Sequence, residues 1–230
     1  MKNRSAARLR LNYVCAALLA GSGTLVAEPA PAQQVFADGT TVDVPANTQI
    51  DTGTAGGTAG VAIRIQNAGV VNAQGPITLR TGGTAAHAVF IDAGGGRADL
   101  TKGGSITNTG NTAYGMWANG PGGSGIDAAG FTIDTIATSV LAQRGSTITL
   151  SNTDLTSATG FGLHAVGTGA AGDPTAIRAT DVSVATGSDH AVESYSTSVV
   201  TLSTLNRPAN TITTQGADAQ GILANNKGTV

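Results

Sequence analysis

The sequence predicts an all-β chain wound as a parallel β-helix, and three observations carry the prediction. A glycine returns at nearly even steps, the runs between returns alternate apolar and polar residues, and no stretch holds a 3.6-residue apolar stripe. The returning positions are Gly53, Gly82, Gly110, Ala137 (the one lapse), Gly160, Gly187 and Gly216. Their steps are 29, 28, 27, 23, 27 and 29 residues, a mean of about 27. A period of that size marks stacked structural repeats.

Residues 1–32 stand apart from the repeat. Lys2, Arg4, Arg8 and Arg10 form a basic head, Leu11 to about Val26 an apolar stretch, and Ala30-Pro31-Ala32 a small-x-small cleavage site, with Leu25-Val26-Ala27 as its rival. These are the parts of a secretory signal peptide, expected as a short helix ahead of the fold. Residues before Cys15 (Asn12-Tyr13-Val14) do not form a lipoprotein signal. Cys15 leaves with the leader, so the mature chain carries no disulfide into an oxidising compartment and depends on backbone ladders and packing.

From residue 33 to 230 each period divides into three short runs separated by turns. The first has a small–apolar–x–small form: Gly60-Val61-Ala62-Ile63, Ala88-Val89-Phe90-Ile91, Gly115-Met116-Trp117-Ala118, Ser139-Val140-Leu141-Ala142, Gly162-Leu163-His164-Ala165, Ala191-Val192-Glu193-Ser194 and Gly221-Ile222-Leu223-Ala224. The second includes Val70-Val71, Asp99-Leu100, Gly125-Ile126, Ile148-Thr149-Leu150, Ala176-Ile177 and Val199-Val200-Thr201-Leu202. The third leads into the glycine, as in Gln49-Ile50-Asp51-Thr52, Ile77-Thr78-Leu79-Arg80-Thr81, Val182-Ser183-Val184-Ala185-Thr186 and Ile212-Thr213-Thr214. Runs rich in Val, Ile and Thr with a two-residue alternation read as half-buried strands. Gly94-Gly95-Gly96, Gly120-Pro121-Gly122-Gly123 and Asn225-Asn226 supply the turns between them. Repeats are expected by about Ile50, and the glycine column is expected at a corner needing positive φ or close backbone approach.

Parity assigns the faces of the first run. Val61, Val89, Met116, Val140, Leu163, Val192 and Ile222 are expected inside, together with Ile63, Ile91, Ala118, Ala142, Ala165 and Ala224. Ala62, Phe90, Trp117, Leu141, His164, Glu193 and Leu223 are expected outside. At Gly228-Thr229-Val230 the chain stops as a second run begins, which reads as the N-terminal piece of a longer protein.

Composition narrows the function classes. Aromatics make up 3% of the chain and charged residues 11%, with 33 glycines, which argues against a compact helical protein. Removing residues 1–32 leaves 8 basic and 13 acidic residues, a net charge of −5, and an acidic surface does not suit nucleic acid.

A signal peptide followed by threonine- and glycine-rich coils with the small–apolar–x–Ala strand resembles the passenger of pertactin-like autotransporters. Ala113-Tyr114-Gly115-Met116-Trp117-Ala118 and Ala219-Gln220-Gly221-Ile222-Leu223-Ala224 carry the resemblance most clearly, and it spans roughly residues 35 to 230. The resemblance implies a right-handed β-helix displayed at the cell surface or outer membrane, or released, with a scaffold or adhesion role. It also implies a C-terminal β-barrel translocator in the full-length protein, and partners such as a host protein or a glycan. A glycan-active β-helix enzyme, a lyase or hydrolase, is the alternative from another class.

No catalytic, cofactor or metal residue is assigned. His87 and His190 hold equivalent places four coils apart, about 19 Å at a strand spacing of about 4.8 Å, and cannot share one ion. His164 is expected as half of a weak surface pair with Glu193. The acids are scattered, although Asp127 and Asp154 fall in comparable parts of successive coils. Gly122-Gly123-Ser124-Gly125-Ile126-Asp127 matches one calcium-repeat unit without a tandem copy. The binding candidate is an outward strip, Phe90, Trp117 and Leu141, stacked on consecutive coils as an exposed platform for a glycan ring or host protein. The competing reading is that a loop such as Gly94–Lys102 folds over these side chains, or that they simply stiffen the ladder.

Overall fold

The computed structural model describes residues 34–170 and 174–230; the leader lies outside them. The described chain is a parallel β-helix of about seven turns. Every strand pair is parallel, and each strand pairs with its counterparts one coil away.

The first sheet has eight strands, in the order Val35–Asp38, Ile63–Gln66, Val89–Ile91, Met116–Ala118, Val140–Gln143, Leu163–Val166, Val192–Tyr195 and Ile222–Asn225. The second and third runs form the other wall. In the fifth and sixth coils they fuse into single bent strands, Thr147–Ser157 and Ala176–Thr186. Each bend sits at a left-handed residue, Asn152 (φ 48°) and Asp181 (φ 56°), types that tolerate this region of backbone space.

Register stacks like on like. Val89, Met116, Val140, Leu163 and Val192 form one fully buried file, and Ile65, Ile91, Ala118, Ala142, Ala165 and Ser194 a second. Val71, Ala98, Ile126, Ile148, Ile177 and Val200 line the second wall, with Leu79, Ile106, Ile133, Leu155 and Val184 on the third. No coil could bury these side chains alone; each is covered by the coils above and below.

One expectation is corrected and two are made specific. The repeat is under way well before Ile50, since the strand Val35–Asp38 already pairs with Ile63–Gln66. In the second coil the inner residues are Ile63 and Ile65, with Arg64 outside, two residues beyond the assignment to Val61, Ile63 and Ala62. A 3-10 turn at Gly57–Gly60 takes up extra chain there, and Val61 and Ala62 are buried ahead of the strand. The glycine column owes its identity to close approach, since only Gly53 in it has positive φ (56°). A Cβ on Gly187 would lie 2.3 Å from the Ala158 carbonyl oxygen, and one on Gly110 2.2 Å from that of Gly83.

Just before the glycines runs a buried polar file that is in true register: Thr52, Thr81, Asn108, Thr135, Ser157 and Thr186. Thr52 Oγ1 donates to the Gly60 carbonyl (2.8 Å), Thr135 Oγ1 to Ala137 (2.7 Å) and Thr186 Oγ1 to Asp189 (2.6 Å). Asn108 Nδ2 donates to the carbonyls of Ala86 and Tyr114, both at 3.1 Å. These side chains bond carbonyls at the corner, of which that of Tyr114 also accepts the Ala88 N–H from the ladder. A second hydroxyl file, including Ser146 and Ser198, serves the corner between the first and second runs. Ser146 Oγ donates to Ala118 and Ser198 Oγ to Ala165, each at 2.8 Å.

Candidate functional site

The outer face of the first sheet gathers most of the chain's rings. Outward residues of successive strands form the file Arg64, Phe90, Trp117, Leu141, His164, Glu193 and Leu223. Beside it, three residues earlier in each coil, run His87, Tyr114, Thr138, Phe161, His190 and Gln220, tied by the same ladder. On the other flank lie Asp92, Asn119, Gln143, Val166 and Tyr195.

Phe90 and Trp117 do stack, with centroids 4.6 Å apart and planes at 28°. They do not form an exposed platform: Phe90 is 8% and Leu141 3% exposed, with Trp117 half-buried. The cover comes from the neighbouring file. His87 lies 5.3 Å from Phe90, 5.0 Å from Tyr114 in parallel stacking, and 4.8 Å edge-on to Trp117. Tyr114 meets Trp117 edge-on at 5.2 Å. Because Phe90 and Trp117 stack coil upon coil, those ring faces are turned toward each other. The indole N–H is occupied as well, donating to Gln143 Oε1 at 3.1 Å.

The file containing His87 has a repeated chemistry. The Tyr114 N–H donates to His87 Nδ1 (3.0 Å), the Gln220 N–H to His190 Nδ1 (2.8 Å) and the Phe161 N–H to Thr138 Oγ1 (3.3 Å). In each case a side-chain acceptor takes the amide of the residue in the same place one coil later. This bracket requires an unprotonated Nδ1, and burial lowers the His87 pKa to about 4.

His164 and Glu193 meet as expected, with Nε2 3.1 Å from Oε2, but the pair is not a surface one, since Glu193 is only 8% exposed. At the N-terminal side of the face, Arg64 binds Asp92 at 2.7 Å, and that hydrogen bond holds the Asp92 carboxyl below its ordinary range.

Elsewhere the acids are engaged one by one. Asp127 aligns with Asp99 and Thr149, not with Asp154, which aligns with Thr132 on the third run. Arg97 binds Asp127 at 3.1 Å, Asp99 accepts the Thr101 N–H and hydroxyl, and Asp43 accepts Asn72. Asp181 accepts the N–H groups of Leu205 (2.7 Å), Asn206 (2.9 Å) and Arg207 (3.1 Å), which pins the turn between Val199–Ser203 and Thr211–Thr214. Arg207 reaches back to Asp154 at 2.8 Å and Asn152 at 3.2 Å. Among the described residues no three His, Cys, Asp or Glu side chains converge as metal ligands would.

The two buried hydroxyl files and the His87 bracket escaped sequence reasoning. The polar residue one to three places before each returning glycine was the available signal for the first of them. No protein-family model matches the chain, and no curated protein or solved structure matches it.

Proposed function

We propose that the chain is a surface-displayed scaffold of the autotransporter-passenger kind, a stiff right-handed rod that holds adhesive or spacing segments away from a bacterial cell. The observation that carries this reading is the unbroken parallel register over about seven coils. Such a stack grows by adding coils to an existing edge and needs no disulfide, which suits a chain exported unfolded. A C-terminal β-barrel translocator in the full-length protein and a host protein or glycan as partner belong to the same proposal. Scaffolding is favoured over glycan cleavage because the aligned acids bind Arg97, Thr101 and Asn72 rather than converging.

Expression in a diderm bacterium followed by cell fractionation tests the export. The expected product is a chain beginning after Ala32 and recovered outside the inner membrane. An unprocessed chain retained in the cytosol would overturn the proposal. For adhesion, beads coated with residues 33–230 should bind extracellular-matrix protein or glycan surfaces above uncoated beads, and equal binding would remove that part of the role.

A further inference from the structure

We infer that His87 is an acid-released latch: protonation of Nδ1 ejects the Tyr114 amide from its hydrogen bond, drives the imidazole from among Phe90, Tyr114 and Trp117, and uncovers that ring cluster. The geometry leaves the ring one protonation state. Nδ1 lies 3.0 Å from the Tyr114 nitrogen, whose hydrogen it accepts, so the lone pair sits on Nδ1 and the proton on Nε2. A second proton would set an N–H against an N–H. The ring cannot answer by turning in place, because Phe90, Tyr114 and Trp117 stand within 5.3 Å on its sides.

Nor is an anion ready to receive the new charge. The charged groups on this stretch are Arg64 of the preceding coil and Asp92 of His87's own coil, and they hold each other at 2.7 Å. The following coil presents Tyr114 and Trp117, with the neutral Gln143 amide beyond them. His190 makes the same bracket to Gln220 in different company, with Asp189 and Glu193 on its own coil and His164 and Phe161 on the one before. Thr138 completes the comparison: it accepts the Phe161 amide with a hydroxyl that does not titrate at these pH values. Where this file does supply an acceptor, it need not be a titrating one; at Phe161 it supplies none, and the His190 N–H goes to Asp189 instead. What histidine adds at position 87 is sensitivity to acid, and burial sets the response low, at about 4.

Trp117 is the chain's one tryptophan and touches His87, so its emission reports on the latch. Between about pH 7 and about pH 3 the emission should red-shift in one step, while the far-ultraviolet signal of the β-helix is retained. The midpoint is expected at or just above about pH 4. H87N places Oδ1 where Nδ1 stood and should remove the step; H164Q should keep it. Should H87N fail to fold, amide exchange in the unmodified chain decides: Tyr114 should lose protection across the step and Met116 should not. Emission that stays flat, that shifts equally in H87N, or that moves only together with loss of the far-ultraviolet signal would overturn the latch.

Discussion

His164 Nε2 stands 3.1 Å from Glu193 Oε2 across one ladder step, and both side chains are largely buried. Burial lowers the His164 pKa to about 4 and raises that of Glu193, so each is pushed toward its neutral form. The contact is therefore best described as a neutral imidazole N–H donating to the carboxyl group, not as an ion pair.

A pH dependence follows from His164. Its folded pKa lies below the model-peptide value of 6.5, so the unfolded chain binds the proton more tightly. The stability it contributes is full above 6.5 and is lost as the pH falls toward about 4. Glu193, with its raised pKa, works in the opposite direction and softens the loss. H164Q keeps a donor near Nε2 without titrating. Denaturant unfolding should show it close to the parent at neutral pH and about 2–3 kcal/mol less sensitive to acidification to about pH 4.5.

The corner glycines separate two kinds of cost. G187A forces a Cβ to 2.3 Å from the Ala158 oxygen, whereas G53A meets nothing within 4 Å and must only hold positive φ. Thermal or denaturant unfolding should place G187A about 2–3 kcal/mol below the parent and G53A about 1 kcal/mol below it. Equal losses would show that close approach does not select glycine here.

The buried hydroxyls divide in the same way. Ser157 Oγ lies 2.6 Å from the Ala137 carbonyl oxygen and 2.8 Å from that of Gly160, while Thr81 Oγ1 is buried without a partner. S157A should lose about 1–3 kcal/mol in an unfolding titration, because the Gly160 carbonyl and N–H lose the hydroxyl they share, while the Ala137 carbonyl keeps Thr135 Oγ1. T81V should be neutral or stabilising by up to about 1 kcal/mol, since it removes only an unbonded hydroxyl.

Asp181 controls one turn. Its three backbone hydrogen bonds, that from Leu205 foremost, hold its carboxyl below the usual 3.8. The ordering they provide is present above that value and fades as the pH drops through the lower folded pKa. D181N should speed amide exchange at Leu205, Asn206 and Arg207 while leaving Val184 slow. Unchanged exchange at those three amides would show that the turn holds without the carboxylate.

The stacked interior was legible because alternation and period coincide: Val89, Met116, Val140 and Leu163 occupy one face in four successive first runs, and they do lie in one file. Register failed where the spacing was locally broken, at the second coil, since a short 3-10 turn before Ile63 leaves no compositional trace. Burial of Phe90 and Leu141 was illegible for another reason. Alternation says which side of a sheet a residue leaves, but not whether the next file along carries His87 and Tyr114 to close over it. The Asp181 turn joins residues 24 to 26 positions apart through single contacts, and no periodicity announces those.

Register also constrains how such a chain can change in length. Removing one whole period brings two like coils together and leaves Val on Leu, Thr on Ser and hydroxyl beneath carbonyl. Removing a single residue from within a strand reverses inside and outside for all that follows in it. Duplication and loss in units of one coil are thus the mutational steps open to this architecture, and corners such as Gly57–Gly60 are where odd residues can be absorbed.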